Sequence, residues 1–87
     1  MTKGEYRVGI NFNPSNGDIV AMIKRAAADL IDKIEIIEVT GINEFSTIDH
    51  MDRLNEVNRL KALAQTKIEE GAMWAVKAAT KPLPEYK

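Results

Sequence analysis

The chain contains no cysteine, which excludes disulfide staples and thiolate metal ligands. Its single histidine, His50, cannot build a zinc site alone, and no HExxH or EF-hand spacing accompanies it. Neither a metal nor another cofactor is expected. No apolar run approaches the roughly 20 residues needed to span a bilayer, and no charged, apolar, small-residue leader precedes the body of the sequence. The expectation is a soluble cytosolic protein with no membrane partner. The residues of an enzyme are missing as well. There is no cysteine nucleophile, and His50 lies in an acidic segment without a paired base or the repeated His-Thr motif of a phosphodiesterase. At 87 residues the chain is one domain at most, and so small a domain gains its stability from staples or from assembly.

A net charge of -1 hides a segregation along the chain. Residues 1–25 set Lys3, Arg7, Lys24 and Arg25 against Glu5 and Asp18, a balance of +2. Residues 29–56 carry eight acids against Lys33 and Arg53, a balance of -6. Residues 59–81 set Arg59, Lys61, Lys67, Lys77 and Lys81 against Glu69 and Glu70, a balance of +3. What this sorting means depends on how the chain folds back. The basic residues are too few, and the net charge too low, for a counterion-release binder of double-stranded nucleic acid.

Periodicity predicts an all-α fold. After an N-terminal segment over 1–15, the run Asn13-Pro14-Ser15-Asn16-Gly17-Asp18 supplies a turn and several candidate N-caps. Ile19, Ile23, Ala26, Leu30, Ile34 and Ile37 then recur at helical spacing, with Val20, Ala27 and Ile31 widening the stripe. Helix one is placed at 16–38. A loop follows over 39–46, where Val39-Thr40 is the only hint of a strand and Ser46 with Asp49 makes a cap pattern. Leu54, Val57, Leu60, Ala64, Ile68, Ala72, Ala75 and Ala79 mark helix two over 47–80, with a candidate break at 52–58 near Asn55 and Asn58. Pro82 and Pro84 close it, leaving a tail over 81–87. The product is a single antiparallel helical hairpin spanning 1–87, its helices roughly 30 Å and up to about 50 Å long. One helix cannot cover the other's stripe. The small residues Ala64, Gly71, Ala72, Ala75, Ala78 and Ala79 favour packing against a second copy, with intrachain alanine packing as the alternative.

An antiparallel hairpin puts the start of helix one beside the end of helix two and gathers Lys24, Arg25, Lys77 and Lys81 there. With the N-terminal dipole end of helix one, this region suits an anion; alternatively Lys77 and Lys81 complement the C-terminal dipole of helix two. Lys24 borders the Val20, Ala27, Ile31 side and either snorkels or meets a buried anion. Arg25 falls with Ala21, Ala28, Asp29 and Asp32 on a face read as solvent-like. Phe12 offers either a ring for stacking a nucleobase or a hydrophobic staple onto helix one. Trp74 stands among Lys67, Glu70, Lys77 and Lys81, where an interface, a cation contact or partial burial against the N-terminal segment are the alternatives.

The order Arg59, then Ala62-Leu-Ala-Gln-Thr-Lys-Ile-Glu-Glu-Gly-Ala-Met-Trp-Ala-Val-Lys-Ala-Ala-Thr80, resembles the C-terminal signature of the bacteriophage anti-CBASS sponge family of helical-hairpin type. Phe12-Asn-Pro14, Ile23-Lys24 and Ala-Ala-Asp-Leu-Ile31 are similar to the front of the same family. The resemblance implies a compact hexamer in the cytoplasm of an infected bacterium. It also implies binding of cyclic dinucleotides such as 3′,3′-cGAMP where two protomers meet, without cleavage. Carried over by residue, it makes Phe12 the base-stacking aromatic and Lys24 the phosphate contact. It further implies a separate pocket for cyclic trinucleotides using Arg59; where members carry a hydroxyl two positions after that lysine, this chain has Ala26. Part of the signature also resembles sponges for cyclic ADP-ribose signals, and a ligand-free helical adaptor is the bland alternative.

Overall fold

The computed structural model describes residues 1–13, 16–38 and 48–84. They form three helices: α1 (Lys3–Val8), α2 (Asp18–Glu35) and α3 (Ile48–Ala79). Pro14, Ser15, the Val39-Thr40 strand hint, the Gly41–Ser46 loop with its cap, and the end of the expected tail fall outside the described residues. Among the described residues there is no strand, and no helix is long and apolar enough to cross a membrane.

The first helix is an addition to the expected hairpin. It is only six residues long, too short for a periodic signal, but both its ends are written in the sequence. Thr2 Oγ1 accepts from the Glu5 amide at 3.0 Å while the Glu5 carboxylate accepts from the Thr2 amide at 2.8 Å, a capping box. At the other end Gly9 takes the left-handed conformation (φ 62°), which lets its N–H reach Tyr6 O and the next N–H, that of Ile10, reach Glu5 O. A residue with a Cβ is strained there.

α2 begins after Gly17 and ends at Glu35, inside the expected 16–38. Its last turn is closed from outside: the Lys61 ammonium donates to the carbonyls of Glu35 at 3.0 Å and Ile37 at 2.8 Å. The Glu35 carbonyl is an orphan acceptor of the helix end, and that of Ile37 lies just beyond the cap. α3 runs unbroken through Asn55 and Asn58. An i,i+3 ion pair between Glu56 and Arg59 brackets Asn58 and supports the helix there.

The inward face of α2 differs from the expected stripe. Val20, Ala27, Ala28 and Ile31 are the buried apolar residues, whereas Ile19, Met22, Leu30 and Ile37 are exposed. The residues that seemed to widen the stripe are therefore the intrachain core, and Ala28, grouped on a solvent-like face, is fully enclosed. The cause is α1, which packs on α2 so closely that Gly4 sits against the backbone of Ala28 and donates its N–H to Asp32 Oδ1 at 2.7 Å. α3 covers the adjoining side through Gln65, which is 1 % exposed and donates to Ile31 O at 3.1 Å and the Glu35 carboxylate at 2.9 Å. Its Oε1 accepts from the Lys3 ammonium at 3.0 Å. The principal extents of 66 × 29 × 13 Å describe a slab about one helix thick. Among the described residues only two large apolar side chains, Val20 and Ile31, are fully buried, each worth about 1.5–3 kcal/mol.

Acidic pH acts on the ties that hold α1 in place. The Thr2 backbone N–H, then Arg25, hold the Glu5 carboxyl down to about 2 from the ordinary 4.5. Gln65, then Lys3, do the same for Glu35, also to about 2. Because both values are depressed in the folded chain, their contribution is complete above pH 4.5 and is lost as the pH falls toward 2. Thermal melts between pH 5 and pH 2 are expected to show a falling Tm, and the Glu5→Gln/Glu35→Gln double variant a flatter profile. An equal slope in both proteins would mean that other groups drive acid unfolding.

Candidate functional site

At the end of the slab where α2 begins and α3 finishes, the turn that follows α1 leaves a groove of about 490 Å³. Arg7 and Phe12 line it from the N-terminal segment, Lys24 from α2, and Met73, Val76 and Lys77 from α3. Phe12 and Lys24 are thus brought together, with Lys77 opposite, as the antiparallel hairpin requires.

Lys24 does not snorkel. It is 6 % exposed, and its ammonium donates to Gly9 O at 2.9 Å and to Phe12 O. The buried charge is satisfied by two carbonyl dipoles of the turn after α1, which accounts for its tolerance inside the fold. It also lies 5.2 Å from the centroid of the Phe12 ring, a cation–π distance. Phe12 itself is 70 % exposed, so it is not a staple: Lys24 is close to its ring and most of its surface meets solvent.

The second expected pocket is not assembled within one protomer. Arg59 is exposed and held by Glu56 through two contacts, at 2.6 and 3.0 Å, which keep the Glu56 carboxyl below its ordinary range. Ala26 is exposed on α2 and does not line the groove. The hairpin register sets Ile31 and Glu35 against Gln65 and Lys61, so Ala26 falls opposite residue 70. That is about 16 Å along α3 from Arg59.

Three other charged positions differ from the sequence reading. Arg25 is not a purely solvated residue; it bridges Glu5 at 2.9 Å and Asp29 at 2.8 Å, tying α1 to α2. Trp74 is not tucked under the N-terminal segment: it is 59 % exposed, with the Lys77 ammonium 5.3 Å from its ring centroid. Lys81 lies beyond the end of α3 and does not line the groove.

Sequence reasoning passed over Arg7, whose Nε donates to Glu69 at 2.8 Å and Nη2 to Thr66 at 3.2 Å, fixing α1 to α3 beside the groove. Its signal was the Thr2-x-x-Glu5 spacing, which announces a helix and so a defined place for residue 7. Among the described residues no group of His, Asp and Glu could hold a metal ion. The arrangement is a partly apolar groove with an exposed ring and three cations, suited to a ligand with flat rings and anionic groups.

A family described as "Acb2/Tad1, hairpin domain" matches residues 5–80 of the chain. No curated protein and no solved structure matches it.

Proposed function

We propose, for a chain that belongs to the Acb2/Tad1 hairpin family of anti-defence sponges, that the groove binds and sequesters cyclic oligonucleotide second messengers without cleaving them. The observation that carries this reading is the exposed Phe12 ring with the Lys24 ammonium close to it, at the mouth of a groove that also holds Arg7 and Lys77. A base stacked on the open side of Phe12 gains roughly 1–3 kcal/mol, and the nearby ammonium adds positive charge for phosphates. A ligand such as 3′,3′-cGAMP presents two bases and two phosphates, and a two-fold pocket between protomers would present Phe12 and Lys24 twice. The large apolar residues left exposed on α2, Ile19, Met22 and Leu30 among them, suit assembly into the homo-oligomer that such a pocket needs, a hexamer in this reading. Cyclic trinucleotides are assigned to a second pocket at Arg59 and Ala26, which the register allows only across protomers.

In this reading the protein works in the cytoplasm of the infected host, where it lowers a messenger below the threshold of the defence effector. Binding alone does this, and a sponge needs nanomolar affinity, about -12 kcal/mol. Calorimetric titration with cyclic di- and trinucleotides and cyclic ADP-ribose, alongside the mass in solution, tests it. Nanomolar binding of a cyclic nucleotide that is recovered intact on denaturation is expected, with Phe12→Ala weakening it by about tenfold to a hundredfold. Preference for cyclic ADP-ribose would move the protein to that class of signal, linear products would make it a hydrolase, and binding of none would leave a helical adaptor.

A further inference from the structure

Arg7 has more hydrogen-bonding capacity than its ties to α3 use. A guanidinium carries five N–H donors in a fixed plane. Its Nε donates to Glu69 Oε1 at 2.8 Å and its Nη2 to Thr66 Oγ1 at 3.2 Å. Thr66 and Glu69 stand three residues apart on α3 and so share one face of it. Together they occupy the edge of the guanidinium made by Nε and Nη2. Among the described residues the other three donors, both on Nη1 and one on Nη2, have no partner. One from each nitrogen forms the end edge, the parallel pair that meets two oxygens of a phosphate. The Arg7 side chain is 22 % exposed and lines the groove with Phe12 and Lys24.

The competing account is that Arg7 only ties α1 in place. That task is already shared: the Gly4 N–H holds Asp32, Lys3 holds Glu35 and Gln65, and Arg25 holds Glu5. Of the three basic residues that tie α1, Arg7 is the one that lines the groove. Lys24, bonded to Gly9 O and Phe12 O, has one N–H left to give a ligand. A phosphate with two free oxygens accepts from more donors than that.

We propose that Arg7 is a second direct phosphate contact of the groove, working beside Lys24, and that Glu69 and Thr66 are positioning residues that lock its guanidinium with the end edge left for the ligand. This rests on the nucleotide reading above. Because the fork is held before a ligand arrives, little side-chain freedom remains to be lost on binding.

The test titrates 3′,3′-cGAMP, and its diastereomers with sulfur in place of one non-bridging oxygen of each phosphate, into wild type, Arg7→Gln, Arg7→Lys, Thr66→Val and Phe12→Ala. Arg7→Gln is expected to weaken binding of the parent ligand by about tenfold to a hundredfold, the range of a charge-assisted hydrogen bond. Arg7→Lys keeps the charge and the tie to Glu69 but not the fork, and should recover only part of that loss. Thr66→Val should cost about threefold to tenfold, the range of a neutral hydrogen bond. Sulfur accepts hydrogen bonds weakly, so at least one diastereomer should bind wild type less tightly than the parent, and this penalty should shrink in Arg7→Gln. A tether alone would leave the penalty as it is in wild type, however far the affinity fell, and that result would overturn the proposal. Wild-type affinity in Arg7→Gln or Arg7→Lys, with binding weakened in Phe12→Ala, would overturn it too while leaving the nucleotide reading intact. Wild-type affinity in Thr66→Val would remove Thr66 from the positioning role. Absence of binding by wild type would overturn both the proposal and the reading beneath it.

Discussion

Gly4→Ala is expected to undock α1 and to lower the stability of the protein by about 2–3 kcal/mol, at the upper end of the cost of overpacking. A Cβ at this position would lie 2.1 Å from the carbonyl oxygen of Ala28 and 2.8 Å from its carbonyl carbon. Those are backbone atoms in the middle of α2, so no side chain can rotate away. The whole of α1 must lift, and three ties would stretch together: Gly4 N–H to Asp32, Glu5 to Arg25, and Arg7 to Glu69. For a domain of this size the Tm should fall by roughly 10–20 °C, measured at fixed protomer concentration because assembly shifts it. Gly71→Ala supplies the contrast. Nothing lies within 4 Å of a Cβ there, and alanine in a helix interior is worth up to about 1 kcal/mol over glycine. A Gly4→Ala protein as stable as wild type would show that α1 is not packed on α2 as described. A destabilised Gly71→Ala protein would place another backbone against that turn in the assembly.

Lys24→Met should cost about 2 kcal/mol, because two carbonyls lose a donor that approached them from inside the fold. Methionine has a similar length and fills the space, so the loss separates hydrogen bonding from packing. The more diagnostic effect is local. The Phe12 amide donates to Gly9 O at 2.9 Å, the same carbonyl that Lys24 holds. Hydrogen exchange at the Phe12 amide is therefore expected to accelerate more than exchange in α3, and ligand affinity to fall at least as far as it does for Phe12→Ala. Unchanged exchange at Phe12 would mean that Lys24 does not fix this turn. A preserved affinity would mean that it does not serve the ligand either.

The hairpin was legible because its evidence is local. Ile19, Ile23, Leu30 and Ile34 mark α2 by spacing, Pro82 closes the run that α3 ends, and the charge sorting with antiparallel pairing places Lys24 and Lys77 at one end. The candidate site was legible only in its membership. Phe12 and Lys24 do share the groove, but a lysine beside an apolar stripe has the same sequence signature whether it reaches for solvent or, as here, for the carbonyls of a turn. α1 went unread for a different reason: six residues are too few for a period, although Thr2, Glu5 and Gly9 spelled both of its ends. Gln65 went unread because a glutamine on a helix face carries no mark of burial.

The sequence alone thus determined the helical class, the antiparallel pairing, the cationic end and, through Arg59 and Ala62–Thr80, the family. The first three follow from spacing along the chain and from the constant rise of a helix, and the family from the likeness of the residue order. Only the tertiary structure decided which face of α2 turns inward, which of three cations is enclosed, and why Arg59 and Ala26 do not meet in one protomer. Those depend on rotation about the helix axis and on register, and here the closest approach, Gly4 against the backbone of Ala28, and the hydrogen bonds of Gln65 and Lys61 set both. The partners in each contact lie far apart in the chain, and no local pattern ties one to the other.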